Sequence, residues 1–167
     1  MDPVRGRFVV MGVSGAGKTR VGLALAQAIG ARFVEGDDLH PPANRAKMAG
    51  GTPLSDEDRW PWLDRVGAAL AAGEAPVVAA CSALRRAYRD RLRAAAPGAV
   101  FLHLEGEPAR VAERLAARRG HFMPPGLLQS QLATLEPLGE GERGAAVSVE
   151  GAVEEVVERL LAAVRRL

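Results

Sequence analysis

Five short apolar runs recur along the chain, separated by longer segments of mixed polarity. Such runs are typical of strands that are buried on both faces of a parallel sheet. They are RFVVM (7–11), RFVEG (32–36), PVVAAC (76–81), AVFLHL (99–104) and AAVSV (145–149). Between them, apolar residues recur three and four positions apart, as in amphipathic helices, most clearly over 18–29 and 153–167. Alternating strands and helices predict an α/β fold with three α/β/α layers around a five-stranded parallel sheet.

The stretch 38–75 is the longest segment between two predicted strands. It contains HPP, GGTP and RWPW, so we expect helices and turns above the carboxyl edge of the sheet. Open α/β sheets bind their ligands at that edge. With 167 residues, the chain is expected to form one domain over 1–167, and 38–75 to be its substrate-binding segment.

Composition narrows the class of protein further. The formal net charge is +2, and the arginines are scattered, whereas nucleic-acid binders usually concentrate them. The single cysteine, Cys81, allows no intrachain disulfide and no zinc motif. The N-terminus does not resemble a secretory signal, and no apolar stretch is long enough to span a bilayer. We therefore expect a cytoplasmic protein with no nucleic-acid or membrane partner.

The first apolar run leads directly into a phosphate-binding motif, Gly12-x-x-x-x-Gly17-Lys18-Thr19. A strand before it and a helix after it are the context that a P-loop requires. Its backbone N–H groups and the helix N-terminus would hold phosphates, Lys18 would bridge the β- and γ-phosphates, and the Thr19 hydroxyl would bind Mg²⁺. The predicted nucleotide-binding residues are Gly12, Val13, Ser14, Gly15, Ala16, Gly17, Lys18 and Thr19. The motif predicts ATP or GTP as ligand.

Guanine-nucleotide switches are disfavoured by the rest of the chain. They require a base-reading Asn-Lys-x-Asp, but Asn44 is the only asparagine and Arg45 follows it. Asp64-Arg-Val-Gly67 matches a switch Asp-x-x-Gly, yet its neighbours have helical spacing. The chain is also short for a motor ATPase.

Asp37 follows the second predicted strand, in the sequence Gly-Asp-Asp-Leu-His. This places a carboxylate at the same edge of the sheet as the P-loop. Phosphoryl transfer needs such a group near the acceptor hydroxyl, to orient it and receive its proton. A solvated turn or a helix N-cap is the alternative interpretation.

Two segments carry closely spaced arginines. Arg85, Arg89 and Arg93 would share one helix face, which we interpret as solvated surface paired with Asp90. Arg114 and Arg118 precede Arg-Gly-His and the break MPPG, which is typical of a lid closing over a triphosphate. Residues 114–135 would then form the lid and its following helix. The three histidines lack metal-ligand spacing.

Taken together, these segments carry a specific resemblance. MGVSGAGKT, GDDLHPPANRAKMAGGTPLSDEDRWPWL, CSALRRAYRDRLR, LEGEPARVAERLAARRGHFMP and LLQSQLATLEPL run in the order and spacing of small P-loop gluconate kinases. That family is related to shikimate and nucleoside monophosphate kinases. The long second segment and CSAL are the more specific parts. Arg85 departs from the family, which often has lysine there.

The resemblance implies transfer of phosphate from ATP, with Mg²⁺, to D-gluconate, giving 6-phosphogluconate. It also implies a homodimer. It implies Asp37 as the acceptor-orienting base and Lys18 and Arg118 as further catalytic residues. The implied substrate contacts are Asp37, His40, Arg45, Lys47, Arg59 and Ser82. Adenine is expected near Arg114 and the turn around Glu150.

Three alternatives stay open at this stage. The chain could be a kinase for another small hydroxy acid such as shikimate. It could be a nucleotide-binding module without turnover, which Asp37 and the lid arginines disfavour. A nucleic-acid-binding P-loop protein is disfavoured by the scattered charge.

Overall fold

Strands and helices alternate along the chain, as the hydrophobic pattern predicts. A computed structural model describes residues 4–106 and 125–167. The strands are β1 (Arg7–Met11), β2 (Arg32–Glu35), β3 (Val77–Ala80), β4 (Val100–Glu105) and β5 (Gly144–Ser148). The helices are α1 (Lys18–Ile29), α2 (Pro42–Ala49), α3 (Asp56–Ala71), α4 (Arg86–Ala95), α5 (Pro125–Thr134) and α6 (Val153–Arg165), with a 3₁₀ turn at Gly36–Leu39.

All five strands are parallel, in the order β2-β3-β1-β4-β5. The central strand β1 pairs with β3 on one side and β4 on the other, so the P-loop leaves the middle of the sheet. The predicted five-stranded parallel sheet is confirmed, with strand ends within one residue of the predicted ones.

Side chains alternate along β1 into two separate hydrophobic layers. Val9 and Met11 point towards α3 and α4, and Phe8 and Val10 point towards α1 and α6. All four are at most 1% exposed. Because each fully buried side chain of this size contributes about 1.5–3 kcal/mol, the two layers hold the helices firmly against the sheet. The predicted α/β/α architecture is therefore correct.

The predicted substrate segment folds into the 3₁₀ turn, α2 and α3. Helix α3 starts with a capping box, in which the Ser55 hydroxyl accepts from the Asp58 N–H and the Asp58 carboxylate accepts from the Ser55 N–H. The Asp64–Gly67 sequence lies inside α3 and is not a switch loop. A Cβ on Gly67 would lie 2.8 Å from that of Ala95, so this glycine serves close packing of α3 against α4.

Helix α4 corrects one sequence-based interpretation. Arg93 does pair with Asp90 at 2.7 Å, as expected. Arg89, however, is completely buried and its guanidinium binds the buried carboxylate of Glu142. The prediction that the arginine face of this helix is solvated surface is therefore wrong for Arg89. The buried Glu142 carboxylate, which is remote in sequence, compensates the charge of Arg89. This ion pair offsets the free-energy cost of removing the guanidinium from water.

Within residues 4–106 and 125–167, every helix is too short or too polar to cross a bilayer.

Candidate active site

The P-loop connects β1 to α1 as a tight turn. Gly17 is the N-cap of α1 and has a φ of +93°, a conformation that residues with a Cβ rarely adopt. Lys18 begins the helix, and its ammonium donates to the carbonyl of Val13 at 3.1 Å. The loop therefore has the bent backbone and the helix N-terminus that bind phosphate groups.

The end of β2 brings two carboxylates to the same edge. A Cβ on Gly36 would lie only 2.3 Å from the carbonyl oxygen of Ala80, so glycine allows the chain to turn here against β3. The turn places Asp37 beside the P-loop, as predicted. Glu35 accepts a hydrogen bond from the Thr19 hydroxyl and another from the Asp37 N–H at 3.3 Å.

Glu35 is a site residue that the sequence reasoning missed. Burial raises the pKa of its carboxyl group, opposed by the Thr19 hydrogen bond, and the nearby charges of Asp37 and Asp38 raise it further. Its position as the last residue of a predicted strand, just before Gly36, was the available signal. Because a cation would relieve this accumulation of negative charge, the neighbourhood of Thr19 suits a metal that prefers oxygen ligands.

A pocket beside the P-loop brings most of the predicted substrate residues together. Lys18, Asp37, His40, Arg59 and Ser82 all line it. The remaining lining residues come from the P-loop, the segment around α2 and α3, the β3–α4 loop and α5: Ser14, Met48, Thr52, Pro53, Leu54, Trp62, Leu84, Ser130 and Gln131. The Gly12 N–H donates to the carbonyl of Ser82 at 3.3 Å, so P-loop and pocket share a wall.

Arg59 is held in this pocket by two neighbours, Tyr88 and the carboxylate of Asp56, which lies 3.8 Å from its guanidinium. Its guanidinium donates to the Tyr88 hydroxyl at 2.9 Å and lies over the Tyr88 ring. The Tyr88 hydroxyl in turn donates to Asp56 at 2.6 Å. Burial and the Asp56 hydrogen bond raise the pKa of Tyr88 to about 12, so the phenol keeps its proton. Arg59 is thus a preorganised cation, suited to binding a carboxylate.

His40 is the buried aromatic residue of the pocket wall. Its ring stacks on Trp62 with the centroids 4.1 Å apart, and the Trp62 indole N–H donates to the Gly36 carbonyl at 2.8 Å. Burial lowers the pKa of His40 to about 4, although Asp37 acts in the opposite direction. The imidazole is therefore neutral at physiological pH.

Two predicted substrate residues do not line this pocket. The Arg45 guanidinium binds backbone carbonyls, that of Asp38 at 2.8 Å and that of His40 at 3.4 Å. Lys47 forms an ion pair with Asp58 at 2.8 Å. In this structure both cations stabilise the segment that carries Asp37 and His40.

Gln131, on α5, was not predicted as a site residue. Its side-chain oxygen accepts the backbone N–H of Ser14, within the P-loop, at 2.7 Å. It also lines the pocket together with Ser130. It lies within the LLQSQLATLEPL segment of the resemblance, but its contact could not be predicted, because Gln131 is 117 positions after Ser14 and only packing brings them together.

The other side of the P-loop opens into a larger cavity of about 700 Å³. Its lining includes Gly15, Thr19 and Arg20 together with Gly151 of the β5–α6 turn and Val153, the first residue of α6. Glu150, which marked the predicted adenine region, lines a neighbouring cavity instead. The predicted lid residues Arg114 and Arg118 lie outside the described residues.

Comparison with known proteins shows the family of the chain. A family model described as an AAA domain matches residues 8–138. The gluconokinase of Gluconobacter oxydans is 48% identical over 158 residues, covering 92% of this chain and 88% of the relative. The chain belongs to the gluconokinase family. The crystal structure of a gluconokinase from Sinorhizobium meliloti superimposes with a TM-score of 0.88 at 55% identity, covering 96% of this chain and 92% of that one.

The fold extends beyond the gluconokinase family. Shikimate kinase from Bacteroides thetaiotaomicron has a TM-score of 0.69 over 98% of this chain, at 16% identity. At that identity the likeness concerns the fold alone. The resemblance to gluconokinases found in the sequence is confirmed by the relatives, and the likeness to shikimate kinase is confirmed at the level of the fold.

Proposed function

We propose that this protein transfers the terminal phosphoryl group of ATP to D-gluconate, giving 6-phospho-D-gluconate and ADP. The observation that carries this proposal is the shared wall between P-loop and pocket: Lys18 lines the same pocket as Asp37, His40, Arg59 and Ser82. The pocket combines one preorganised cation with several polar groups. That combination suits a molecule with one carboxylate and many hydroxyls.

The donor side would be held by the P-loop. Its backbone N–H groups and Lys18 would bind the β- and γ-phosphates, and the cavity of about 700 Å³ is large enough for the rest of the nucleotide. The predicted contact of Arg114 near the adenine, and of Arg118 over the phosphates, belongs to the same proposal.

Mg²⁺ would be held by the Thr19 hydroxyl, with Glu35 orienting this hydroxyl. Within residues 4–106 and 125–167, no cluster of three His, Cys, Asp or Glu residues forms a metal site. This fits Mg²⁺, which keeps several waters and is held mainly by substrate phosphates in kinases. The ion would neutralise charge on the phosphates during transfer.

On the acceptor side, Asp37 would accept a hydrogen bond from the C6 hydroxyl of gluconate. As the new O–P bond forms and the bond to ADP breaks, the hydroxyl proton would pass to this carboxylate. Arg59 would bind the carboxylate of gluconate, and His40 and Ser82 its hydroxyls. Arg45 and Lys47 stay predicted contacts, which would have to exchange their present partners for substrate.

A coupled assay of ADP release tests the proposal. The protein is given ATP, Mg²⁺ and, in turn, gluconate, other sugar acids and shikimate. We expect turnover with gluconate to exceed that with any other acid. Faster turnover with shikimate would assign the protein to another substrate class, and no turnover with any acid would favour a nucleotide-binding module.

We further propose a cytoplasmic homodimer that binds neither nucleic acid nor membranes.

A further inference from the structure

Asn44 connects the wall of the pocket to the start of α3. Its side chain is only 3% exposed. The side-chain nitrogen donates to the backbone carbonyl of Asp58 at 2.9 Å and lies 3.2 Å from Nδ1 of His40. The two contacts therefore use one hydrogen each of the same NH₂ group.

The Asp58 contact determines which way the Asn44 amide points. A backbone carbonyl can only accept, so the atom facing it must be the amide nitrogen, because an oxygen at 2.9 Å would face another lone pair. The same nitrogen then donates to His40, and Nδ1 of that ring must be the acceptor. In a neutral imidazole with an unprotonated Nδ1, the proton is on Nε2.

The neutral state of the ring follows from its surroundings. His40 is 6% exposed and stacks on Trp62. Burial and the cations of Arg45 and Arg59 disfavour its protonation, and only Asp37 acts in the opposite direction. Within the described part of the chain, no hydrogen-bond partner is found for Nε2, and the ring lines the pocket.

We propose that Asn44 is a positioning residue, which holds His40 as the Nε2–H tautomer so that it donates a hydrogen bond to the acceptor substrate. His40 would then recognise an oxygen that can accept a hydrogen bond, and would neither remove a proton nor act as a cation. This leaves Asp37 as the base of the pocket. The identity of the acceptor rests on the proposed function, but the tautomer does not.

The tautomer is measured directly by the ¹⁵N chemical shifts of the imidazole nitrogens in the unmodified protein. At neutral pH we expect a protonated Nε2 and a bare Nδ1 for His40. A protonated Nδ1, or protons on both nitrogens, would overturn the proposal. This measurement needs no turnover, so it remains decisive even if gluconate is not the substrate.

The Asn44→Asp variant tests the consequence for substrate binding. A carboxylate accepts from Nδ1–H, so at about pH 8.5, where the imidazolium form is minor, it would move the proton from Nε2 to Nδ1. We expect KM for gluconate to rise roughly 10-fold or more, because a lone pair then faces the substrate oxygen, with KM for ATP changed less than about 2-fold. An inverted tautomer with an unchanged KM for gluconate would refute the substrate contact.

Gln27→Glu is the matched control, since it makes the same amide-to-carboxylate change on the exposed face of α1. It should leave both KM values unchanged. If Asn44→Asp fails to fold, the unmodified protein still tests the contact through a titration with gluconate. We expect the His40 Nε2–H signal to shift as gluconate saturates the pocket, and a signal that stays in place would count against the contact.

Discussion

The guanidinium of Arg89 and the carboxylate of Glu142 form an ion pair in which both side chains are fully buried, with Nε and Oε2 2.8 Å apart. Arg89 also donates to the carbonyls of Ala83 at 2.9 Å and Pro137 at 3.3 Å. Its donors therefore join the loop after β3 to the segment between α5 and β5. Ala83 has a φ of +45°, an unfavourable conformation for a residue with a Cβ, which these contacts help to hold.

Replacing Arg89 by methionine should lower the free energy of unfolding by about 3–5 kcal/mol, because Glu142 would be left buried without its main partner. Urea unfolding measures this loss. The double variant Arg89→Met, Glu142→Leu should recover part of it, because the buried carboxylate is removed as well, whereas the carbonyls of Ala83 and Pro137 still lack their donor. A single variant that costs less than about 1 kcal/mol would show that Arg86 and Arg93, both near Glu142, compensate the charge by themselves.

Asp37→Ala should retain ATP binding while kcat falls roughly 10²-fold or more, the usual size of an acid–base contribution. Steady-state kinetics with gluconate and a nucleotide titration measure the two effects. Asp38→Ala is the matched control, because Asp38 is exposed in the same 3₁₀ turn but does not line the pocket. Equal losses in both variants would point to a general electrostatic effect.

Arg59→Ala should raise KM for gluconate roughly 30-fold or more, as expected for the loss of a charged partner of a carboxylate. Tyr88→Phe keeps the ring under Arg59 but removes the hydroxyl that links it to Asp56. We expect a smaller rise, about 3–10-fold, with little change in kcat. A selective increase of KM for ATP in either variant would place Arg59 on the donor side.

Stability should depend on pH through His40. Its pKa is lowered to about 4 in the folded protein, so between pH 6.5 and 4 the unfolded chain binds more protons than the folded one. The free energy of unfolding should therefore decrease as the pH falls through this window, by on the order of 3 kcal/mol from His40. His103, whose pKa burial also lowers, should add to the decrease.

Unfolding curves at several pH values measure this dependence. In His40→Gln the slope between pH 6.5 and 4 should be shallower, whatever the variant's absolute stability. His103→Gln provides the comparison that separates the two histidines. An unchanged slope in His40→Gln would mean that the imidazole is already protonated in the folded state or reaches solvent.

The sheet, the P-loop and the position of Asp37 could be predicted because each depends on local sequence. Apolar runs predict buried strands, and the helix that follows β1 has a clear period. Arg89 illustrates the limit of this reasoning. Its spacing with Arg85 and Arg93 is that of a solvated face, and its partner Glu142 is 53 residues away. Only tertiary packing brings the two charges together.

The pocket also contains both residues that could be predicted from local sequence and residues that depend on tertiary packing. His40, Arg59 and Ser82 were predicted and do line it. Gln131 was not, because its contact with Ser14 depends on how α5 packs. Arg45 and Lys47 belong to the specific motif around α2, yet motif membership does not determine whether a side chain faces the pocket or supports its wall.

The hydrogen bond from the Ser14 N–H to Gln131 occupies a P-loop amide before any nucleotide binds. A nucleotide phosphate that takes this amide must first displace the Gln131 carboxamide, which acts as an internal competitor. The measured affinity for nucleotide would then be the intrinsic affinity reduced by the fraction of molecules in which the amide is released. Because Gln131 also lines the pocket proposed for the acceptor, its displacement would connect the arrival of one substrate to the shape of the site for the other.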